Sequence, residues 1–358
     1  MKYSIIVPVY NRPDEVDELL QSLCGQTFKD FEVLIVEDGS VKPCKDVCDK
    51  YANILDLHYY AKENSGPGQS RNYGADRAQG EWLIILDSDV VVPAQYIESV
   101  ERSLNSQLAC FGGPDAAHPS FTPIQKAISY SMTSFFTTGG IRGGKKKLDK
   151  FYPRSFNMSI RRDVYQQLGG FSKMRFGEDI DFSYRIVEAG HQTMLIPEAW
   201  VWHKRRTDLK KFFRQVFNSG IARINLTKRH PGTLKLVHLL PTVFTVGVIG
   251  LLLLLCLGIA LYAEGEWLDA NGLRPNDNMH QGVGFMFCIL ALLPLLLYSL
   301  IIFIDSSIRN KSLWVGLLSI PAAFTQLMGY GLGFIKAWWK RCVLKQDEFT
   351  AFETKFYD

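Results

Sequence analysis

The 358-residue chain carries 40 Lys and Arg against 36 Asp and Glu, a formal charge of +4, too small a balance to imply nucleic acid as a partner. Its seven cysteines are odd in number and include no Cys-x-x-Cys pair, which argues against a disulfide framework or a zinc site and places the bulk of the chain in a reducing compartment. The average composition conceals two unlike parts: residues 1–235 are mixed and charged, whereas 236–335 hold long apolar runs with few charges. The first residues read as a strand over 3–9 rather than an apolar helix, so no secretory signal is expected.

The spacing predicts a strand over 2–8, then a helix with Pro13 at its start and Leu19, Leu20 and Leu23 on its buried face. A second strand over 31–36 runs into Glu37-Asp38-Gly39-Ser40, and a third over 57–61 into Asn64-Ser65-Gly66-Pro67-Gly68, with Arg71 and Asn72 in the first turns of the next helix. Residues 82–86 are a short apolar run, the pattern of a strand buried on both faces, ending in Asp87-Ser88-Asp89, with Pro93 opening another helix. Strands alternating with helices at short intervals predict an α/β fold, a mostly parallel sheet with helices on both faces. All these strand ends lie on one rim, where open α/β sheets bind ligands. Two carboxylates at i and i+2 suit one hard cation with a diphosphate in its shell, Mg²⁺ or Mn²⁺. Read alone, Asp-x-Asp is equally a polar strand end feeding a turn.

Together these residues resemble the family-two glycosyltransferases of the GT-A fold, inverting enzymes that use nucleotide sugars. The matching motifs are SIIVPVYNR at 4–12, VEDGS at 36–40, NSGPGQSRNYGADRAQGEWLIILDSD at 64–89, and GGF with GED at 169–179. The resemblance implies that Pro8, Tyr10, Glu37 and Asp38 hold the base and ribose, Glu37 standing where two Asp are usual. It places Arg71 near the base or phosphates, and Asp87 and Asp89 at the ribose and metal. Asn157, in a strand over 156–160, would meet the acceptor. Asp179 would be the general base that takes the proton of an attacking sugar hydroxyl, with Glu178 hydrogen-bonding the acceptor. The same two acids also fit ordinary first-turn residues favoured by the helix dipole. His203, after a strand over 193–197, could be a third metal ligand, bind phosphate or face water. Residues 137–150, with four Gly and three consecutive Lys, read as a mobile loop at the acceptor side or a solvated linker.

From 204 to 235 the chain has ten Lys or Arg and one acid, Asp208. Within it, 208–226 is amphipathic, with Leu209, Phe212, Phe213, Val216, Phe217, Gly220 and Ile224 at helical spacing, which predicts a helix in the interface of an anionic membrane. RQVF at 214–217 replaces the Gln-x-x-Arg-Trp of processive members, pointing to single addition. The apolar segments 236–262, 283–304 and 313–335 are each long enough to span a bilayer. Loop acids at 263–282 and Arg309 and Lys311 in the next loop put residues 1–235 in the cytosol of a multi-pass inner-membrane protein. Lys336, Lys340, Arg341 and Lys345 would then lie outside after a third span, so the third segment either breaks the charge rule or is re-entrant or interfacial. YGLGFIKAWW at 330–339 and HPGTLKLVHLLP at 230–241 are similar to the bacterial succinoglycan-type glucosyltransferases.

The expected organisation is therefore a GT-A domain at 1–207, a basic amphipathic segment at 208–235, a membrane domain at 236–335 and a tail at 336–358. The expected reaction moves one sugar from a nucleotide-diphosphate sugar, a UDP-sugar first, to a polyprenyl-linked glycan in cell-surface polysaccharide synthesis. Transfer to polyprenyl phosphate itself and a non-catalytic nucleotide-sugar scaffold are the alternatives.

Overall fold

The computed structural model describes residues 1–116, 118, 120–139, 151–204, 206–271 and 279–348. Its first part alternates as the apolar spacing demands: β1 (Tyr3–Val9), α1 (Pro13–Cys24), β2 (Phe31–Asp38), α2 (Lys45–Tyr51), β3 (Asp56–Lys62), α3 (Pro67–Ala75) and β4 (Trp82–Leu86). β5 (Val90–Val91), α4 (Tyr96–Ser103), β6 (Leu108–Gly112), β7 (Asp115–Ala116), α5 (Pro123–Thr133) and α6 (Phe135–Thr138) follow. After them come β8 (Asn157–Arg161), α7 (Arg162–Gln167), α8 (Glu178–Glu188), β9 (Gln192–Leu195) and β10 (Val201–His203).

Successive side chains of a strand point to opposite faces, and β1 shows the consequence. Ile5 and Val7 pack with Leu19, Leu20 and Leu23 of α1 and with Tyr96 of α4, whereas Ile6 joins Leu34, Leu83, Tyr165, Phe182 and Ile186 on the other side. Each such buried side chain contributes about 1.5–3 kcal/mol, so α1 is held chiefly by its three leucines. The seven strands run in the order β3-β2-β1-β4-β8-β6-β9. β8 is antiparallel to both neighbours, β4 and β6, which is why the sheet is mostly rather than wholly parallel. The strand order reverses between β1 and β4, and the carboxyl ends of these two strands form the crevice such sheets use for ligands.

Two local expectations change. Pro93 does not open a helix: β5 intervenes after Asp89, and α4 begins at Tyr96. α5 stops at Thr133, where Ser134 turns extended and caps the short α6 by accepting from the Phe136 N–H. Thr137, placed in a mobile loop by sequence, is buried in α6, and residues 140–150 of that loop lie outside the described residues.

Four long helices complete the chain: α9 (Leu209–Arg229), α10 (Leu240–Ala270), α11 (Met279–Asn310) and α12 (Leu313–Trp338). α10, α11 and α12, with their flanking turns, are long and apolar enough to cross a membrane. Arg274 and Asp277 of the loop between α10 and α11, and tail residues 349–358, lie outside the described residues. The apolar face of α9 is not bare: Phe212 and Val216 pack with Ala127 and Ile128 of α5 and with Val315 and Ala322 of α12. The segment expected in the membrane interface thus packs its apolar face between the domain and α12, with Lys210, Lys211 and Arg214 exposed on its outer side. α12 runs unbroken through Pro321, which removes the re-entrant reading.

α9 and α12 meet through glycines. A Cβ on Gly220 would lie 2.1 Å from the Tyr330 carbonyl oxygen, and one on Gly333 2.0 Å from that of Phe217. Gly220→Val is therefore expected to destabilise the protein by at least about 1–3 kcal/mol, the range for overpacked contacts. A lowered midpoint in thermal unfolding of the detergent-solubilised chain checks this, and an unchanged midpoint would mean that the two helices separate freely.

Candidate active site

A cleft of about 410 Å³ opens at the switch point between β1 and β4. Pro8, Tyr10 and Arg12 line it from the end of β1, Pro67 and Arg71 from α3, and Asp87, Ser88 and Asp89 from the end of β4. His203 follows from the end of β10 and Lys204 and Arg206 from the segment after it, with Met132 of α5 and Gln215 of α9 on the remaining wall.

His203 arrives there through the small sheet. β10 pairs with β5 so that His203 stands opposite Val90, the residue after Asp89, and the Lys204 N–H donates to the Asp89 carbonyl. Phe156 stacks on the imidazole, ring centroids 5.0 Å apart. Nε2 of His203 lies 3.2 Å from Asp89 Oδ1, and one ligand atom each from Asp87, Asp89 and His203 falls within 4.8 Å of the others. Two carboxylates and an imidazole in that space fit Mn²⁺ or Mg²⁺ by donor chemistry. Arg12 Nη1 sits 2.5 Å from the other oxygen of Asp89. Burial alone would raise the Asp89 carboxyl, but His203 and then Arg12 hold it well below the usual carboxylate range.

Arg71 is the centre of the second cluster. Its Nη2 donates to Asp87 Oδ1 at 2.8 Å and its Nη1 to Glu178 Oε1 at 2.9 Å, while the guanidinium lies 5.2 Å from the Phe171 ring centroid. Its Nε is buried without a hydrogen-bond partner among the described residues. Expected at the base or phosphates, Arg71 thus ties the end of β4 to the start of α8 as well as lining the cleft. Asp179, next to Glu178, accepts from Arg154 Nε at 2.7 Å. Burial opposes ionisation of Asp179, but Arg154 and then Arg71 keep its carboxyl below the ordinary value. Glu178 moves the other way, raised by burial and by the adjacent Asp179 charge. Asp179 is not among the residues lining the cleft, whereas Arg71, which interacts with it and with Glu178, is.

Three expected ligand contacts look different in three dimensions. Glu37 is 2% exposed and turned inward, where it accepts from the Ser40 hydroxyl and from the Cys44 N–H at 2.8 Å. Asp38 is equally buried, accepting from the Ser65 and Gly66 N–H groups at 2.9 and 2.8 Å and from Lys62. Both carboxylates shape turns and neither lines the cleft. Asn157 is 1% exposed, accepts from the Tyr96 hydroxyl at 2.6 Å and donates to the Ala199 carbonyl at 2.8 Å, so its amide is turned into the fold.

Sequence reasoning passed over Arg12, Arg154, Lys204, Arg206 and Gln215. Arg12 was visible only as the last letter of VPVYNR. Its neighbour Asn11 adopts a positive φ of 54° and accepts from the Val41 and Lys42 N–H groups, which ties the ends of β1 and β2 together and aims Arg12 at Asp89.

Residues 4–169 match the family model described as glycosyl transferase family 2. These residues are a family 2 glycosyltransferase domain. Glu178, Asp179 and His203 lie beyond the matched stretch. The chain is 26% identical over 250 residues to the pre-mycofactocin glycosyltransferase of Mycobacterium tuberculosis, covering 64% of this chain and 48% of that protein. It is 41% identical over 93 residues to the poly(ribitol-phosphate) beta-N-acetylglucosaminyltransferase TarS of Staphylococcus aureus, covering 25% of this chain and 16% of that one. The matches thus span about half or less of either relative. Among solved structures, the mannosyltransferase PcManGT from Pyrobaculum calidifontis, in complex with GDP-Man and Mn²⁺, superposes with a TM-score of 0.55. The likeness covers 82% of this chain and 86% of that one at 16% identity, a resemblance of fold, which is GT-A.

Proposed function

We propose that the protein is a membrane-anchored, inverting glycosyltransferase that moves one sugar from a nucleotide-diphosphate sugar, a UDP-sugar first, to a lipid-linked glycan. The observation that carries this reading is the composition of the cleft. One wall is the strand-end acids and basic groups of the family 2 domain. The other holds Met132 of α5 and Gln215 of α9, helices that pack on the apolar C-terminal helices. A donor in such a cleft would meet its acceptor beside the membrane.

In this reading Asp87, Asp89 and His203 would hold the divalent cation, which supplies charge neutralisation for the departing diphosphate. Arg12, Lys204 and Arg206 add fixed positive charge along the same cleft. An acceptor hydroxyl oxygen attacks the anomeric carbon, the bond from that carbon to the diphosphate oxygen breaks, and the hydroxyl proton passes to Asp179. Displacement in line inverts the anomeric centre. Arg154 and Arg71 keep Asp179 ionised and so able to accept the proton, while Glu178, held by Arg71, orients the acceptor. The domain is cytosolic and the pathway one of cell-surface polysaccharide, as the loop charges and motif resemblance imply.

Screening purified full-length protein in detergent against nucleotide sugars, UDP-sugars first, tests the reading. Metal-dependent release of nucleoside diphosphate from one donor, accelerated by lipid-linked glycan, is the expected result. Binding without release from any donor would favour a scaffold instead. Lys204 and Arg206 in the cleft favour a second acceptor, the lipid phosphate itself, which needs little general base. Transfer to that acceptor would survive loss of Asp179.

A further inference from the structure

We infer that only α10 and α11 cross the bilayer, and that α12 lies in its surface beneath α9, so that the family 2 domain and the tail at 339–348 share one side. Nothing in this inference depends on the transfer reaction.

The tail is tied to α9: Lys228 Nζ donates to the Arg341 carbonyl at 2.6 Å, Arg341 Nε to Asn225 Oδ1 at 3.1 Å, and Arg229 pairs with Glu348 at 3.0 Å. The same end of α9 is tied to the domain. His230 bridges Asp181 and Glu188 of α8 at 3.1 and 2.9 Å, and Arg223 Nη1 donates to the Tyr184 hydroxyl at 3.0 Å. A chain that touches itself on one side of a membrane before and after its apolar helices has crossed an even number of times.

α10 and α11 pair along most of their length as an antiparallel hairpin, with Phe244 beside Tyr298 at one level and Gly258 beside Gly284 and Cys288 at another. α12 starts at the C-terminal end of α11, where Gly316 meets Ser307 and Ser319 meets Ser306. By Phe324 it has reached the Phe244–Tyr298 level. A spanning helix would continue from there toward Gly258. α12 goes no deeper: Leu327 lies against Thr245, and Gly331 against Pro241 and Thr245. It then leaves the hairpin beside Leu239, where Phe334 and Ala337 join Ile224 of α9. Every one of these contacts is to the domain-side ends of α10 and α11.

Composition agrees with a helix that has protein on one face and lipid on the other. The mean hydropathy of its most apolar window is 1.3 against 2.8 for each of the other two, and 44% of that window is buried in protein against 17% and 11%. One stripe is less covered, exposed at Trp314, Leu317 and Trp339 and half-buried at Met328, Leu332 and Ile335, with the two tryptophans 58% and 53% exposed. It is apolar and ends at both sides in the residue favoured at membrane surfaces. The occupant it fits is the acyl boundary of a phospholipid leaflet. Lys336, Lys340, Arg341 and Lys345 then lie on the same side as the basic face of α9, which removes the charge conflict a third span creates.

The chain supplies its own reporter, because Cys342 is exposed in the tail. The full chain in sealed right-side-out and inside-out membrane vesicles is treated with an impermeant maleimide, alongside Ile54→Cys on the domain surface and Asn271→Cys at the end of α10. Loss of label in Cys342→Ser identifies the native site. The expected result is that Cys342 and Ile54→Cys label from one side and Asn271→Cys from the other. Labelling of Cys342 opposite Ile54→Cys would show α12 crossing and overturn the inference. Labelling of Asn271→Cys on the Ile54→Cys side would overturn it as well, since α10 and α11 would then not cross.

Discussion

The Asp89→Ala variant is expected to transfer sugar at least about 100-fold more slowly than the parent chain, the scale of losing a charge-stabilising group at a departing oxyanion. Asp89 offers one oxygen to the His203 side of the cleft and the other to Arg12. Removing it takes away a proposed metal ligand and leaves the guanidinium without its counter-charge. Asp89→Asn keeps the shape and an acceptor oxygen, so a comparable loss there would assign the effect to charge rather than to packing. Excess chelator should abolish turnover of the parent chain, with Mn²⁺ or Mg²⁺ restoring it. Full turnover in chelator would remove the metal from the proposal. Because the Asp89 carboxyl is held low, it is ionised throughout the neutral range. Any loss of activity between pH 6 and 8 should therefore not track this residue.

Replacing Asp179 with Asn should lower transfer to a hydroxyl acceptor by roughly 10²–10⁴-fold, the usual contribution of a general base, while leaving donor affinity nearly intact. The structure sharpens this expectation, because Asp179 does not line the cleft and its nearest partner is Arg154. Glu178→Gln is predicted to behave differently. Glu178 shares Arg71 with Asp87, so weakening that ion pair lets Arg71 shift and should reduce donor affinity as well as rate. Calorimetric affinity for the nucleoside diphosphate, measured beside the transfer rate of each variant, separates the two. Equal loss of affinity and rate in Asp179→Asn would move Asp179 into the donor site, and loss of neither would leave it an ordinary first-turn acid of α8. The double change Glu178→Gln, Asp179→Asn shows whether Glu178 accepts the proton when its neighbour cannot.

What the sequence determined by itself was local and periodic. The buried run Trp82–Leu86 predicts a central strand, and the two acids directly after it can only fall at the strand's carboxyl end. The helices with leucines at turn spacing, the motif order that resembles family 2, and the apolar lengths of the C-terminal segments were legible for the same reason. Each depends on residues within a few positions of one another.

Contacts across distant segments were decided by the tertiary structure. The Asp89–His203 pairing arises because β5 and β10 happen to be neighbours in the small sheet. Arg12 and Arg154 gave no sign of their carboxylate partners, since any surface Arg looks the same in sequence. Glu37, Asp38 and Asn157 stand in motifs that resemblance connects with ligands, and that each also bonds to backbone inside the fold was not visible in the sequence. Hydropathy likewise counts how apolar 313–335 is without knowing what covers it. Burying Val315, Ala322 and Leu327 against protein satisfies the same residues that lipid would, so only the path of α12 across the ends of α10 and α11 distinguishes a surface helix from a span.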